Sequence, residues 1–438
     1  MCYSRKQVRY SRTPAAARTV LQRSLAGPLL LLLSLAPAAA DTRVELEIHE
    51  AVRLALADDP VIAATQARAR AFSDNAVADG QLPDPKLKTG LYNLPLDDFE
   101  LDEEPTTQLR LGIVQSFPRG RTRHYRRERT EWLAASEDAE AESASLLLVR
   151  DVRNRYLELY YQLLAENIVT DARELFAQLV EITRSHYASG RVSQQDVLRS
   201  SLELSRLDDR TTRIRNEADR NRAALMEWIG QAATLPVSRS FPRLPELPAK
   251  EDIEAALAVH PVIRLETARL EAENREVKIA REQYKPGWSA GLEYRKRFGN
   301  DPDGSDRADM MAAMVSLDLP LFPKNRQDKR LSASLQQAEA IQLSRDHRLR
   351  ELRRMLETDY ASWQRLGERV TLYDSQLREE AAANAQASLK AYQSGITEFT
   401  SLMRARITDL DVRLEALRIE VDRAKAQANL LYLAGDKP

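Results

Sequence analysis

The sequence predicts a mostly α-helical fold with a small β part, in which long antiparallel helices are combined with four strands per chain. Three observations lead to this prediction. The chain repeats one plan twice, and each repeat holds a very long stretch almost free of glycine and proline. Each repeat also holds two short segments in which apolar and polar residues alternate. The first observation sets the domain plan, and the other two set its helices and strands.

The repeat is visible as pairs of similar motifs. IHEAVRLALADDPVIAA resembles EDIEAALAVHPVIRLET, with Pro60 in the position of Pro261. Each of these prolines is predicted to end one helical segment and to open the next. VQSFPRGR has its counterpart in SLDLPLFPKNR, and the two halves close on MEWIG and LYLAG. Between the halves, a segment with four prolines cannot be the interior of a helix. The predicted plan is a first repeat at 41–230, a proline-rich linker at 231–250 and a second repeat at 251–438.

The two long stretches predict the main helices. They cover roughly residues 122–186 and 325–391 and are rich in Ala, Leu, Glu and Arg. At 1.5 Å per residue, each would span on the order of 100 Å. Apolar residues in the first stretch step by three and four, which predicts a narrow stripe of the coiled-coil type; they are Leu146, Val149, Val152, Tyr156, Leu159 and Leu163. Such helices alone would equally fit a coiled-coil scaffold.

The alternating segments predict two β-hairpins, at 86–118 and 287–320. Apolar faces are expected at Leu109, Leu111, Ile113 and Phe117, at Trp288, Ala290, Leu292 and Tyr294, and at Met311, Ala313, Val315, Leu317 and Leu319. Strands of about ten residues with one apolar face and aromatic residues near their ends are typical of transmembrane β-barrels. Half-buried soluble hairpins would look similar. Because four strands cannot close a membrane barrel, several chains would have to contribute; three would give twelve strands.

The first 40 residues have the pattern of a secretory signal peptide. Six basic residues and no acidic one precede the apolar run AGPLLLLLSLAPAAA, which ends in an A-x-A site at Ala38 and Ala40. Cleavage near Ala40 would leave 59 basic and 66 acidic residues, a net charge of −7. This balance argues against a nucleic-acid partner, which usually requires a basic face.

The composition argues against an enzyme. The single cysteine, Cys2, lies in the predicted signal peptide. The five histidines form no H-x-x-x-H or H-E-x-x-H pair, and no G-x-S-x-G, P-loop or Rossmann glycine run is found. We therefore predict no catalytic residue, no metal-ligand set and no cofactor.

The duplicated plan, the two Y-x-x-G turns and the half-ends MEWIG and LYLAG together resemble the TolC-like outer-membrane efflux factors. GQLPDPKL, VQSFPRGRTR and LPLFPKNRQ further resemble the heavy-metal (cobalt-zinc-cadmium) branch of that family. The resemblance implies a homotrimer in the outer membrane, with a twelve-stranded β-barrel and an α-helical barrel that extends into the periplasm. Its implied partners are outer-membrane lipid, a periplasmic adaptor (membrane fusion) protein and an inner-membrane pump of the resistance-nodulation-division type.

The resemblance also implies a role for YASGRVSQQDVL and YQSGITEFTSLM, whose glycines lie 205 residues apart (395 minus 190). These turns, at 187–193 and 392–398, would be the periplasmic tips where one helix folds back into the next. Glycine can adopt the positive φ that ends a helix, and Ser193 and Thr397 are candidate caps of the returning helices. The candidate tip residues are Tyr187, Gly190, Arg191, Ser193, Tyr392, Gly395, Ile396 and Thr397.

The narrow end of such a duct should be lined by polar side chains. Family members often place aspartates shortly after the second turn, whereas this chain has Ser401 and Arg404 there and Asp196 in the first half. We therefore hypothesise that Asp196 and Arg404 face each other near the closed tip and form an ion pair.

The sequence thus predicts a passive outer-membrane exit duct of a tripartite efflux system, with heavy-metal cations as cargo. Two alternatives remain open. One is a multidrug or type I secretion duct of the same architecture, and the other is a soluble periplasmic coiled-coil adaptor.

Overall fold

The computed structural model describes residues 45–436. The predicted signal peptide lies outside these residues and stays a prediction. The described chain is mostly helical with one four-stranded sheet, which confirms the predicted fold class. Its helices are α1 (Ile48–Ala57), α2 (Pro60–Asp79), α3 (Thr122–Ala188), α4 (Gln194–Ile229), α5 (Lys250–Leu257), α6 (Pro261–Glu282), α7 (Gln327–Leu372), α8 (Arg378–Gln393) and α9 (Phe399–Ala434). Within residues 45–436, no helix is both long enough and apolar enough to cross a membrane.

The two matching prolines begin helices, as the sequence predicts. Pro60 is the first residue of α2, and the side chain of Asp59 caps this helix by accepting a hydrogen bond from the Ile62 amide at 2.8 Å. Pro261 begins α6 in the same way, with His260 as its cap. Proline suits this position because its missing N–H would have no partner there and its φ is already helical.

Helix α3 is the central element of the helical part. It contacts five other helices, α1, α2, α4, α6 and α9. The predicted apolar stripe is confirmed, since Val152, Leu159 and their neighbours in the stripe are buried and Leu163 packs against them. Tyr156 is buried, and its hydroxyl donates a hydrogen bond to the Leu46 carbonyl at 2.7 Å. The second long helical stretch is divided into α7 and α8 by one π-helical turn, Tyr373–Leu377.

The two hairpins join into one antiparallel sheet of order β1-β2-β3-β4. Its strands are β1 (Lys86–Tyr92), β2 (Gln108–Phe117), β3 (Gly287–Arg297) and β4 (Met310–Asp318). The central pair, β2 and β3, joins the first repeat to the second, with Phe117 opposite Trp288 and Gln108 opposite Arg297. Within the described residues, β1 and β4 each have a partner strand on one side only.

One face of this sheet is apolar and exposed. The register places Leu87, Ile113, Leu292 and Ala313 in one row across all four strands. Leu87 keeps 70% of its surface exposed, and Ile113 and Leu292 each keep about half. The opposite face carries Glu293, which is buried and forms an ion pair with Arg295 at 2.7 Å. The predicted apolar faces of β2, β3 and β4 therefore lie on the same side of the sheet.

A polar clamp fixes the sheet to the helices. Glu282, at the end of α6, is almost fully buried and accepts hydrogen bonds from the Arg121 amide at 2.7 Å and from Lys285 Nζ at 2.8 Å. Arg119, which follows β2, donates from Nη1 to the Gln283 carbonyl at 2.6 Å. Between them, Gly120 has φ +48°, and a Cβ there would lie 1.8 Å from Glu282 Oε2. The β2–α3 and α6–β3 junctions are thus held together at a point where no side chain fits.

Candidate functional site: the tip turns

Two equivalent turns end α3 and α8. Gly190 and Gly395 both have φ +71°. In the first turn the Gly190 amide donates to the Tyr187 carbonyl at 2.9 Å, and the Arg191 amide donates to the His186 carbonyl at 2.8 Å. The second turn repeats both bonds, at 3.0 Å and 2.9 Å. This is the Schellman arrangement, which satisfies the last carbonyls of a helix and requires a left-handed residue. The Y-x-x-G spacing therefore encodes a helix end.

The two returning helices begin differently. Ser193 caps α4 through a reciprocal capping box, in which its Oγ accepts from the Asp196 amide at 3.3 Å and its amide donates to Asp196 Oδ2 at 3.2 Å. The prediction that Thr397 caps α9 is wrong. The N-cap of α9 is Glu398, and its side chain makes no capping hydrogen bond.

The reason for this error is the register of the duplication. Both helices begin at the same distance from the turn glycine, so the offset of 205 residues (395 minus 190) carries Ser193 onto Glu398 and not onto Thr397. A glutamate side chain is longer than those that favour the N-cap position, which are Ser, Thr, Asp and Asn. The same offset carries Asp196 onto Ser401, so the second turn lacks both halves of the capping box.

The two turns lie against each other within the chain. His186 Nδ1 is 3.3 Å from the Tyr392 hydroxyl, and the Tyr392 ring packs edge-on against Phe399 at a centroid distance of 5.7 Å. Burial raises the pKa of the Tyr392 hydroxyl, and the negative charge of Asp196 raises it further. By contrast, the equivalent Tyr187 is 49% exposed. One copy of the repeated tyrosine is therefore packed between the turns, and the other faces outward.

A cleft of about 660 Å³ lies between the turns. The predicted tip residues that line it are Gly190, Arg191, Ser193, Tyr392, Gly395 and Thr397, and the aperture candidate Asp196 lines it as well. Tyr187 and Ile396 are exposed, Ile396 by 81%, and neither lines the cleft. The cleft residues that the sequence reasoning missed include His186, Arg199, Glu398 and Phe399. The repeat offset could have found Glu398, whereas the contact of His186 with Tyr392 joins two helices and leaves no local pattern.

The proposed ion pair between Asp196 and Arg404 is not formed within the described chain. The Asp196 carboxylate accepts hydrogen bonds from Ser193, including one from its Oγ at 2.8 Å. Ser401 and Arg404 are both exposed on the first turns of α9. The Asp196 carboxylate thus caps its own helix and is not paired with Arg404 within residues 45–436.

At the end of the sheet far from the helices lie two acidic loops, 93–107 and 298–309, and hydrogen bonds from Arg307 connect them. This side chain donates from Nη1 to the carbonyls of Asp102 and Phe298, both at 2.9 Å. In the first loop, hydrogen bonding to Asp98 and the negative charge of that carboxylate raise the pKa of Glu103 to about 7. The loops therefore form one connected polar surface.

Among residues 45–436, no cluster of three His, Cys, Asp or Glu side chains has the geometry of a metal site.

Comparison with known proteins identifies the architecture. A model of the family described as outer membrane efflux protein matches residues 253–436. No curated protein matches the sequence. Three solved structures are similar. The outer-membrane channel OprN has a TM-score of 0.74 and 20% sequence identity, over 89% of this chain and 90% of OprN. VceC from Vibrio cholerae has a TM-score of 0.75 and 17% identity, over 89% of this chain and 96% of VceC. CusC has a TM-score of 0.77 and 14% identity, over 90% of this chain and 93% of CusC.

The chain has the fold of the outer-membrane efflux channels. The family match covers nearly all of the second repeat, and the structural matches extend the likeness to most of the chain. Within this efflux-channel fold, α3 leads from the sheet at Thr122 to the first tip turn at Ala188, a distance on the order of 100 Å. The tip cleft and the acidic loops therefore lie at opposite ends of the fold.

Proposed function

We propose that this chain is the outer-membrane channel component of a tripartite efflux system. It would act as a passive exit duct for substrates delivered by an inner-membrane pump of the resistance-nodulation-division type through a periplasmic adaptor. The observation that carries the proposal is the four-stranded sheet, whose apolar face is exposed and whose edge strands each lack one partner. Such a sheet cannot remain open in lipid, because unpaired backbone groups there have no water to bind.

Three copies would complete the structure by the simplest route. Cyclic assembly of three chains gives twelve strands, with β4 of each copy beside β1 of the next, and no free edge remains. The order β1-β2-β3-β4 supports this closure, because β4 and β1 run in opposite directions and can pair as antiparallel neighbours. The helical parts of the three copies would then surround a periplasmic duct that ends at the tip turns.

Heavy-metal cations are the proposed cargo. The support is the motif resemblance, in particular GQLPDPKL, which leads into β1, the FPRGR segment at the end of β2 and the FPKNR segment after β4. The likeness to CusC supports the fold only. A multidrug or type I secretion duct with the same architecture is the alternative, since a wide duct has little need to recognise its cargo.

Fractionation and resistance assays test the two levels of the proposal separately. The mature chain should sediment with outer membranes and need detergent for extraction, and recovery in the salt wash would favour a soluble periplasmic adaptor instead. A deletion strain should become sensitive to one or more of zinc, cadmium, cobalt, nickel, copper and silver, with resistance restored by the wild-type gene. Sensitivity confined to dyes and detergents would retain the duct and replace the cargo.

A further inference from the structure

The two repeats meet in the sheet where β2 pairs with β3, and we call this strand–strand interface the seam. Within residues 45–436, the edge strands β1 and β4 each lack a partner on one side. At the seam, Phe117 at the end of β2 lies opposite Trp288 near the start of β3, and their rings stack at 4.0 Å with an angle of 10° between their planes. Stacked aromatic pairs contribute beyond their buried area. This pair closes the helix-proximal end of the seam, just before the polar clamp at Glu282.

The duplication provides a counterpart for each ring. The motif Phe-Pro-Arg-Gly-Arg after β2 aligns with Phe-Pro-Lys-Asn-Arg after β4, so Phe322 corresponds to Phe117 with an offset of 205 residues (322 − 117). At the strand starts, Pro85 and Gly90 align with Pro286 and Gly291, with an offset of 201 (286 − 85). This second alignment carries Trp288 onto Leu87. The observed first residues of β1 and β3, Lys86 and Gly287, have the same offset.

Neither counterpart has its partner within the chain. Phe322 is 87% exposed, the highest value among the large apolar side chains of residues 45–436, and Leu87 is 70% exposed. Leu319 and Leu321 beside Phe322 are also exposed, by 60% and 69%. The two exposed positions lie at opposite edges of the sheet, but both lie at its helix-proximal end, because β4 ends where β1 begins.

We propose that Phe322 of one copy packs against Leu87 of the next copy and closes the seam between β4 and β1, as Phe117 closes the seam on Trp288 within the chain. This inference rests on the proposed function, since it requires copies arranged in a ring. The occupant is a second copy because the exposed patch continues the edge strand β4, and because the duplication supplies a template for the contact. Each interface of this kind then exists three times in the assembly.

A cysteine pair tests the contact directly. Phe322→Cys and Leu87→Cys are combined in a chain whose only cysteine, Cys2, is replaced by serine. Under mild oxidation in outer membranes, the double variant should form linked dimers and trimers on a non-reducing gel, and reductant should return them to monomers. Co-expression of the two single variants should give dimers only, because each pair then closes one interface.

Two matched controls test whether the cross-link is specific to the contact between Phe322 and Leu87. Leu91→Cys replaces Leu87→Cys on the same face of β1, four residues or about 13 Å along the strand, and its pairing with Phe322→Cys should lower the linked fraction at least tenfold. Phe117→Cys with Trp288→Cys should form a bond inside one chain and leave the apparent mass monomeric. Equal linking at Leu87 and Leu91 would overturn the proposal.

Failure of this inference is distinguishable from failure of the proposed function. The oligomeric state of the wild-type protein in detergent is measured by light scattering beside the cross-linking. A trimer without linkage between 322 and 87 would overturn the seam contact and leave the channel in place. A monomer would overturn both. Phe322→Ala, with Phe322→Leu as its conservative control, should lower the temperature at which the trimer dissociates, and an unchanged temperature would contradict the contact.

Discussion

Gly395 allows the role of the tip turns to be tested quantitatively. Its φ is +71°, and apart from its chain neighbours no heavy atom lies within 4 Å of the position that a Cβ would take. A Gly395→Ala side chain therefore meets no obstacle, and its cost is that of the left-handed backbone, about 1–2 kcal/mol. This free energy should raise the population of the locally opened turn by a factor of roughly 5–30.

Hydrogen exchange measured by mass spectrometry detects this opening. The amides of Gly395 and Ile396 donate to the carbonyls of Tyr392 and Ala391, so their exchange should accelerate by roughly the same factor of 5–30 in the alanine variant. Gly395→Asn is the matched control, because asparagine visits the left-handed region more readily than alanine. Its exchange should stay closer to that of the wild type.

Two results would contradict the predicted role of the Gly395 backbone. Unchanged exchange in Gly395→Ala would mean that the Schellman bonds do not limit opening of the turn, and equal exchange in the Ala and Asn variants would mean that φ is not the cause. At the level of function, the bulkier Gly395→Val should impair gating or adaptor docking while the chain still reaches the outer membrane. Normal efflux by that variant would remove the tip from the mechanism.

Three further predictions concern other parts of the chain. Gly120→Ala should destabilise the protein by about 2–4 kcal/mol, because a strained φ is combined with displacement of the buried Glu282 carboxylate; thermal unfolding checks this, and a loss no larger than that of Gly395→Ala would contradict the clamp. The raised pKa of Glu103, about 7, implies that the order of its loop is greatest below the unfolded pKa near 4.5 and is lost as the pH rises through 7. Protection of the amides in loop 93–107, taken relative to the intrinsic exchange rate at each pH, should therefore be weaker at pH 8 than at pH 5. Glu103→Gln should abolish this difference in protection, and a difference that persists in this variant would assign it to another group. Arg404→Glu should raise the resting conductance in planar bilayers if Arg404 holds the closed tip, and an unchanged current would argue against the pairing with Asp196.

Sequence reasoning succeeded where structure follows from local rules. Pro60 and Pro261 begin helices because proline suits the first helical position, and Gly190 and Gly395 end them because glycine adopts positive φ at little cost. The strand faces followed from alternation, since successive side chains on a strand point to opposite sides. These features depend on a few neighbouring residues, so the sequence could predict them without knowledge of the packing.

It failed where one residue of register or a long-range contact mattered. The side chain of Thr397 suits a helix cap, but the geometry of the turn places Glu398 at the N-cap position of α9. The contact between His186 and Tyr392 joins residues 206 positions apart. Neither the charge pattern nor the periodicity of α3 contains information on which residue of α8 lies opposite.

The order of the elements, the two turns and the two equivalent halves follow from the sequence alone. Which member of each equivalent pair is packed within the chain depends on the tertiary fold. Tyr392 is packed while Tyr187 is exposed, and Phe117 is stacked while Phe322 is exposed. The physical reason is that two linked repeats form one interface between themselves and leave its second version at their outer edges. The repeated tyrosine and phenylalanine are present at both, but burial depends on what the rest of the chain brings into contact.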